Sequence, residues 1–159
     1  MDVTYIDQQL SHPKRVCLDN SSGESNVEVN KGEALAYNLS KDTLNYVSKL
    51  SDTAANNRLF AGVSRKKITI PAGQKGYFEI DEPGSITEAL VLDAGTDGVA
   101  EYATLKWKYN AESGGVLFET ASAAGCGAAV LLEAVEAANP AVVQLKTVYL
   151  DVGNRQISA

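Results

Sequence analysis

The sequence holds a single histidine, His12, placed directly before Pro13 in a polar N-terminal stretch. Ser-His-Asp and Cys-His chemistry needs an imidazole held by neighbours on a rigid scaffold. The stretch around His12 promises no such scaffold, so histidine-based catalysis is not expected. Carboxylates are the next candidates: Glu79, Asp81 and Glu82 in "EIDEP", and Asp93 and Asp97 in "DAGTDG". Paired carboxylates can bind a cation or work as acid and base. A calcium loop of the EF-hand type repeats its acids at every second residue before its glycine, whereas Asp93 and Asp97 lie four apart, so solvated turn carboxylates are the expectation. "GQKG" and "GCG" lack the G-x-x-x-x-G-K-[ST] spacing of a phosphate loop. Cys17 and Cys126 are far apart and in no metal-like spacing, so both are expected to be free thiols. No catalytic, metal-binding or cofactor-binding residue is assigned, and the chain is not expected to be an enzyme.

One cluster reads as a contact surface. "SRKK" places Arg65, Lys66 and Lys67 together in a chain whose net charge is −6. Such a patch can meet an acidic protein surface, or it can blunt the edge of a sheet. The overall negative charge opposes phosphate backbones and anionic headgroups, so neither nucleic acid nor membrane is an expected partner. The N-terminus "MDVTYIDQQLSHPKR" lacks the basic start and apolar run of a secretion signal. Synthesis and first folding are therefore expected in the cytoplasm, where the acceptor patterns at Asn20-Ser21-Ser22 and Asn38-Leu39-Ser40 carry no meaning.

With 159 residues, 45% of them hydrophobic, the chain is large enough to bury a core without disulfides or metals. Its elements read as short strands. In "ITIPAGQKGYFEIDEPG", Ile68 and Ile70 alternate before a Pro71-Ala72-Gly73 turn, and Phe78 and Ile80 alternate after it, which predicts a hairpin. In "LKWKYNAESGGVLFE", Leu105, Trp107 and Tyr109 alternate with lysines before a Gly-bearing loop, which predicts a second hairpin. Before the first come "VEV", "EALAYNL", "LNYVSKL" and "LFAGVS", and between the two comes "ITEALVL", all apolar runs bounded by turn residues. "SDTAANN" (residues 51 to 57) could make one helical turn. Residues 128 to 138 have helical propensity, yet the Asn139-Pro140 break and the β-branched run after it favour strand, turn, strand. The fold class expected is mostly β: a compact β-barrel or β-sandwich of short antiparallel strands. Residues 1–26 are expected to be an extended arm, with "NSSGESN" as hinge, and residues 27–159 a single β-rich domain.

The arm carries Val3, Tyr5, Ile6 and Leu10 as apolar anchors. An extended segment of this kind can add a strand to an exposed sheet edge. Val3, Tyr5, Ile6 and Leu10, with Arg65, Lys66 and Lys67, are the candidate residues for binding a partner surface.

From Val27 onward the order of turns and strands resembles the small capsid cement, or head decoration, proteins of tailed bacteriophages. The likeness lies in "VEVNKGEALAYNL", "LFAGVS", "ITIPAGQKGYFEIDEPG" and "GCGAAVLLEAVEAANPAVVQLKTVYL", and it spans most of residues 27 to 150. The resemblance implies a β-rich homotrimer on the outer surface of a virion head, bound where major capsid protein subunits meet and stabilising the shell. The candidate contact residues would then touch the capsid or a neighbouring protomer. A second reading is a β-sandwich recognition module, for example carbohydrate-binding, on a virion or cell surface, with Trp107, Tyr109 and Tyr102 as an aromatic platform. A third, a metal-assisted hydrolase, rests on Asp93 and Asp97 alone.

Overall fold

In the computed structural model, residues 11–53, 59–93, 98–119, 128–138 and 140–151 are described. All regular structure among them is strand. The first part of the chain forms β1 (Pro13–Asn20), β2 (Val27–Val29), β3 (Ala34–Tyr37), β4 (Tyr46–Lys49), β5 (Phe60–Ser64), β6 (Ile68–Ile70) and β7 (Gln74–Asp81). The second part forms β8 (Ile86–Leu92), β9 (Thr104–Asn110), β10 (Gly114–Glu119), β11 (Ala129–Leu131) and β12 (Val143–Leu150). They close into two barrels, ordered β1-β4-β3-β5-β7 and β10-β8-β12-β11-β9, with β2 and β6 as a separate ribbon.

The two barrels have the same connectivity. In each, the first strand runs parallel to the third, β1 beside β4 and β8 beside β10. The first strand is also antiparallel to the fifth, β1 to β7 and β8 to β12. The second strand pairs with the third and the fourth, β3 with β4 and β5, and β9 with β10 and β11. The fourth then closes on the fifth, β5 on β7 and β11 on β12. The β2–β6 ribbon is an addition to the first barrel that the second lacks among the described residues.

Alternation explains the strands locally. Along β7, Tyr77 and Glu79 face out while Phe78 and Ile80 are buried, the two-residue period of a half-buried strand. One apolar cluster lies inside the first barrel around Val16, Leu35, Tyr37, Val47 and Ile80. The other runs across both barrels, joining Ala34, Phe60 and Val63 of the first to Val91, Leu105, Trp107 and Leu131 of the second. Fully burying a side chain of this size stabilises by about 1.5–3 kcal/mol, so the shared cluster holds the barrels together as one body.

The joint between barrels is close at the backbone. Leu90 N donates to Gly32 O at 2.9 Å, and Asn30 Nδ2 donates to Ser113 O at 3.2 Å. A β-carbon at Gly115 would collide with the Ala34 carbonyl oxygen and stand 2.8 Å from Leu50 Cδ1, so only glycine allows this approach. Glu33 is fully buried in the joint. Its Oε2 accepts Asn30 N–H at 2.8 Å, and Lys49 Nζ lies 3.2 Å from Oε1. Burial pushes the Glu33 carboxyl above the usual range despite these partners.

The expected mostly-β fold is present, and as barrels. The "KWKYNAESGGVLFE" hairpin is β9–β10, in register from Asn110↔Gly114 to Leu105↔Glu119. Residues 128 to 138 contain no helix among those described; Ala129 and Leu131 are buried in β11, between β9 and β12, so packing overrides helical propensity. Residues 54–57, most of the helical turn expected over 51–57, lie outside the described residues.

Two expectations are corrected. The arm expected over residues 1–26 does not hold for Pro13–Asn20, which is β1, a barrel strand with Val16 at 1% and Cys17 at 3% exposure. Its apolar residues Val16, Cys17 and Leu18 are consecutive because β4 and β7 flank it and both faces are covered, and the missing alternation disguised it. The expected hinge is a stitched turn, with Gly23 N donating to Asn20 O at 3.0 Å and Asn20 Nδ2 donating to Pro71 O at 3.1 Å. The second correction concerns Ile68–Asp81. The turn forms, with Gln74 N donating to Pro71 O at 3.3 Å, but its flanking strands do not pair with each other. β6 pairs with β2, and β7 with β1 and β5, while Ile70 packs into the space a side chain at Gly76 would fill.

Candidate functional site

The long register between β1 and β7 sets Arg15 opposite Glu79 and Cys17 opposite Tyr77. Diagonal neighbours on one face of such a pair reach each other. Accordingly the Arg15 guanidinium lies 5.5 Å from the Tyr77 ring centroid. The segment after β5 brings Arg65 and Lys66 to the same face, and the three cations surround a groove of about 530 Å³. Ile68, Tyr77 and Phe78 supply its apolar lining and Glu79 its acid. Tyr77 is 58% exposed.

The cations are not equivalent. Arg65 is anchored, with NH1 3.4 Å from Glu79 Oε2 and Nε 3.6 Å from Asp81 Oδ1. Among the described residues neither Arg15 nor Lys66 has a carboxylate within ion-pair distance. The groove thus offers two uncommitted positive charges beside an exposed ring. Cations over aromatic faces are favourable at such sites, and Arg suits carboxylate partners by its planar fork.

The sequence-derived contact residues divide. Arg65 and Lys66 line the groove; Lys67 is exposed beside it but does not line it. Val3, Tyr5, Ile6 and Leu10 lie outside the described residues. Arg15 and Tyr77 were missed, because Arg15 sits in the stretch read as an arm and only the β1–β7 register brings it to Tyr77. An exposed tyrosine at alternating spacing on β7 was the available signal.

Two of the acidic candidates, expected to be solvated turn carboxylates, are instead buried and hydrogen-bonded. Asp81 is buried, accepting Thr87 Oγ1–H at 2.6 Å and Ser11 Oγ–H at 3.0 Å beside Arg65. Asp93 is buried and its Oδ2 accepts Val142 N–H at 3.3 Å, while Asp97 lies outside the described residues. Cys17 is buried and free, and Cys126 lies outside the described residues. Trp107 is 4% exposed and packs on Phe60, so it offers no platform with Tyr109 and Tyr102, which are 39% and 69% exposed. Among the described residues no three His, Cys, Asp or Glu side chains gather as a metal centre would require. Compared with known proteins, the chain matches no family model and no curated protein sequence.

Proposed function

We propose that this chain is a capsid decoration protein, a cement that binds the outer surface of a tailed-phage head as a homotrimer and stabilises the shell. The observation that supports the reading is the backbone at four of the glycines in the stretches that carry the resemblance. Gly32, Gly62, Gly73 and Gly84 all have positive φ, at 77°, 147°, 77° and 100°, so each marks a place where the barrel backbone demands glycine. The groove between Arg15, Lys66 and Tyr77 is the surface through which the chain binds protein, and it needs no reaction. A protein that binds only the assembled shell stabilises it by mass action, and linked copies add avidity.

Labelling purified virions with an antibody against this chain tests the reading by electron microscopy. Label over the outer surface of heads is expected. Label on tails or fibres alone, or none on virions that contain the chain by mass spectrometry, overturns it.

A further inference from the structure

Two exposed features stand apart in this chain, and they are opposite in charge. One is the groove on the first barrel, with Arg15 and Lys66 uncommitted and Tyr77 exposed. The other is the turn at residues 99–103 on the second barrel. Tyr102 is the most exposed large hydrophobic residue described, at 69%, and the only described residue other than glycine with positive φ, at 68°. Strained backbone persists only where surrounding structure imposes it, and it gathers at functional sites. Here the surroundings do impose it. Val99 and Val135 exchange two backbone hydrogen bonds of 2.9 Å, Tyr102 N donates to Leu131 O at 2.7 Å, and Ala103 N donates to Ala100 O at 3.2 Å. Glu101, the residue before it, is exposed as well, so ring and charge are presented together.

That end of the second barrel is acidic. Glu101, Glu133 and Glu136 are exposed there, and residues 98–103 and 128–138 contain no lysine or arginine. In one copy Tyr77 and Tyr102 are both exposed, so groove and turn do not cover each other.

We propose that the Glu101–Tyr102 turn of one copy docks in the Arg15–Lys66–Tyr77 groove of the next. The Glu101 carboxylate meets the unpaired cations, and the Tyr102 ring lies against Tyr77 and Ile68. Because the two surfaces belong to different barrels, the contact is head-to-tail and can close a ring of copies. The inference rests on the self-association in the proposed function, but it needs no capsid.

The test is sedimentation velocity on the full chain without heads, across protein concentration and at low and high salt, so its failure leaves capsid binding to be judged separately. Association that weakens with salt is expected. A groove variant, Arg15→Glu with Lys66→Glu, and a turn variant, Glu101→Gln with Tyr102→Asn, should each weaken it by at least about tenfold. All four positions are exposed, and circular dichroism confirms that each variant folds. Mixing the two variants is the decisive arm. The groove variant keeps an intact turn and the turn variant an intact groove, so an equimolar mixture should give a dimer and nothing larger. A chain that stays monomeric at every concentration overturns the proposal, as does a mixture that forms no dimer. A groove variant that self-associates like the wild type but no longer binds heads also overturns it, and gives the groove to a partner protein instead.

Discussion

The rings of Phe60 and Trp107 meet with centroids 5.6 Å apart and planes tilted by 44°, and this contact carries the core of the first barrel into the second. Tilted aromatic pairs at this separation add to the gain from burial alone. Phe60→Ala should cost about 3–5 kcal/mol, measured by chemical denaturation, and shift Trp107 emission to the red as water enters. Because the cluster is shared, the wild type should unfold in a single transition. Two resolved transitions in a calorimetric scan would show that the barrels are held separately.

Glu33 should make stability depend on pH in a direction opposite to most carboxylates. Burial raises its carboxyl above the ordinary value of 4.5, so the folded chain holds that proton more tightly than the unfolded chain. Its contribution is therefore fully present below the unfolded pKa and is lost as pH rises from there through the raised folded value. Glu33→Gln keeps an oxygen for the Asn30 N–H and cannot ionise. Measured relative to Glu33→Gln, the wild type should lose stability as pH rises through that window; a flat difference would show that Lys49 fully compensates the burial.

Tyr102 separates stability from association. A left-handed backbone costs a residue other than glycine about 1–2 kcal/mol, and asparagine tolerates it better than tyrosine. Tyr102→Asn should leave thermal stability unchanged or raised. A clear loss of stability would mean that the exposed ring supports the fold after all.

Truncation should discriminate between the two parts of the N-terminal segment. Removing residues 1–10 should leave both barrels folded by circular dichroism. Removing residues 1–20 deletes β1, which pairs with β7 along its whole length from Pro13↔Asp81 to Asn20↔Gln74, and should abolish cooperative unfolding. Loss of fold in the shorter truncation would place structural contacts in residues 1–10.

Local pattern made several elements legible. The alternation of Tyr77 and Glu79 with Phe78 and Ile80, the lysine-interleaved hairpin around Trp107, and the Pro71-Gly73 turn each depend on neighbours a few residues apart, which sequence periodicity reports directly. Length and hydrophobic content likewise determined that the chain has a core of its own. Pairing between distant strands was decided only by the tertiary structure. Nothing local sends Ile68–Ile70 to Val27–Val29 instead of to its neighbour across the turn, or identifies Pro13–Asn20 as the strand that closes a barrel. The repeated connectivity of the two barrels is likewise a property of which edges meet. The groove follows the same rule: Arg15 and Tyr77 are far apart in sequence and become neighbours because one register, over eight residue pairs, aligns β1 with β7. A slip of one residue would turn Arg15 toward the core, so burial of Val16 and Phe78 on the inner face is what places charge and ring together on the outer one.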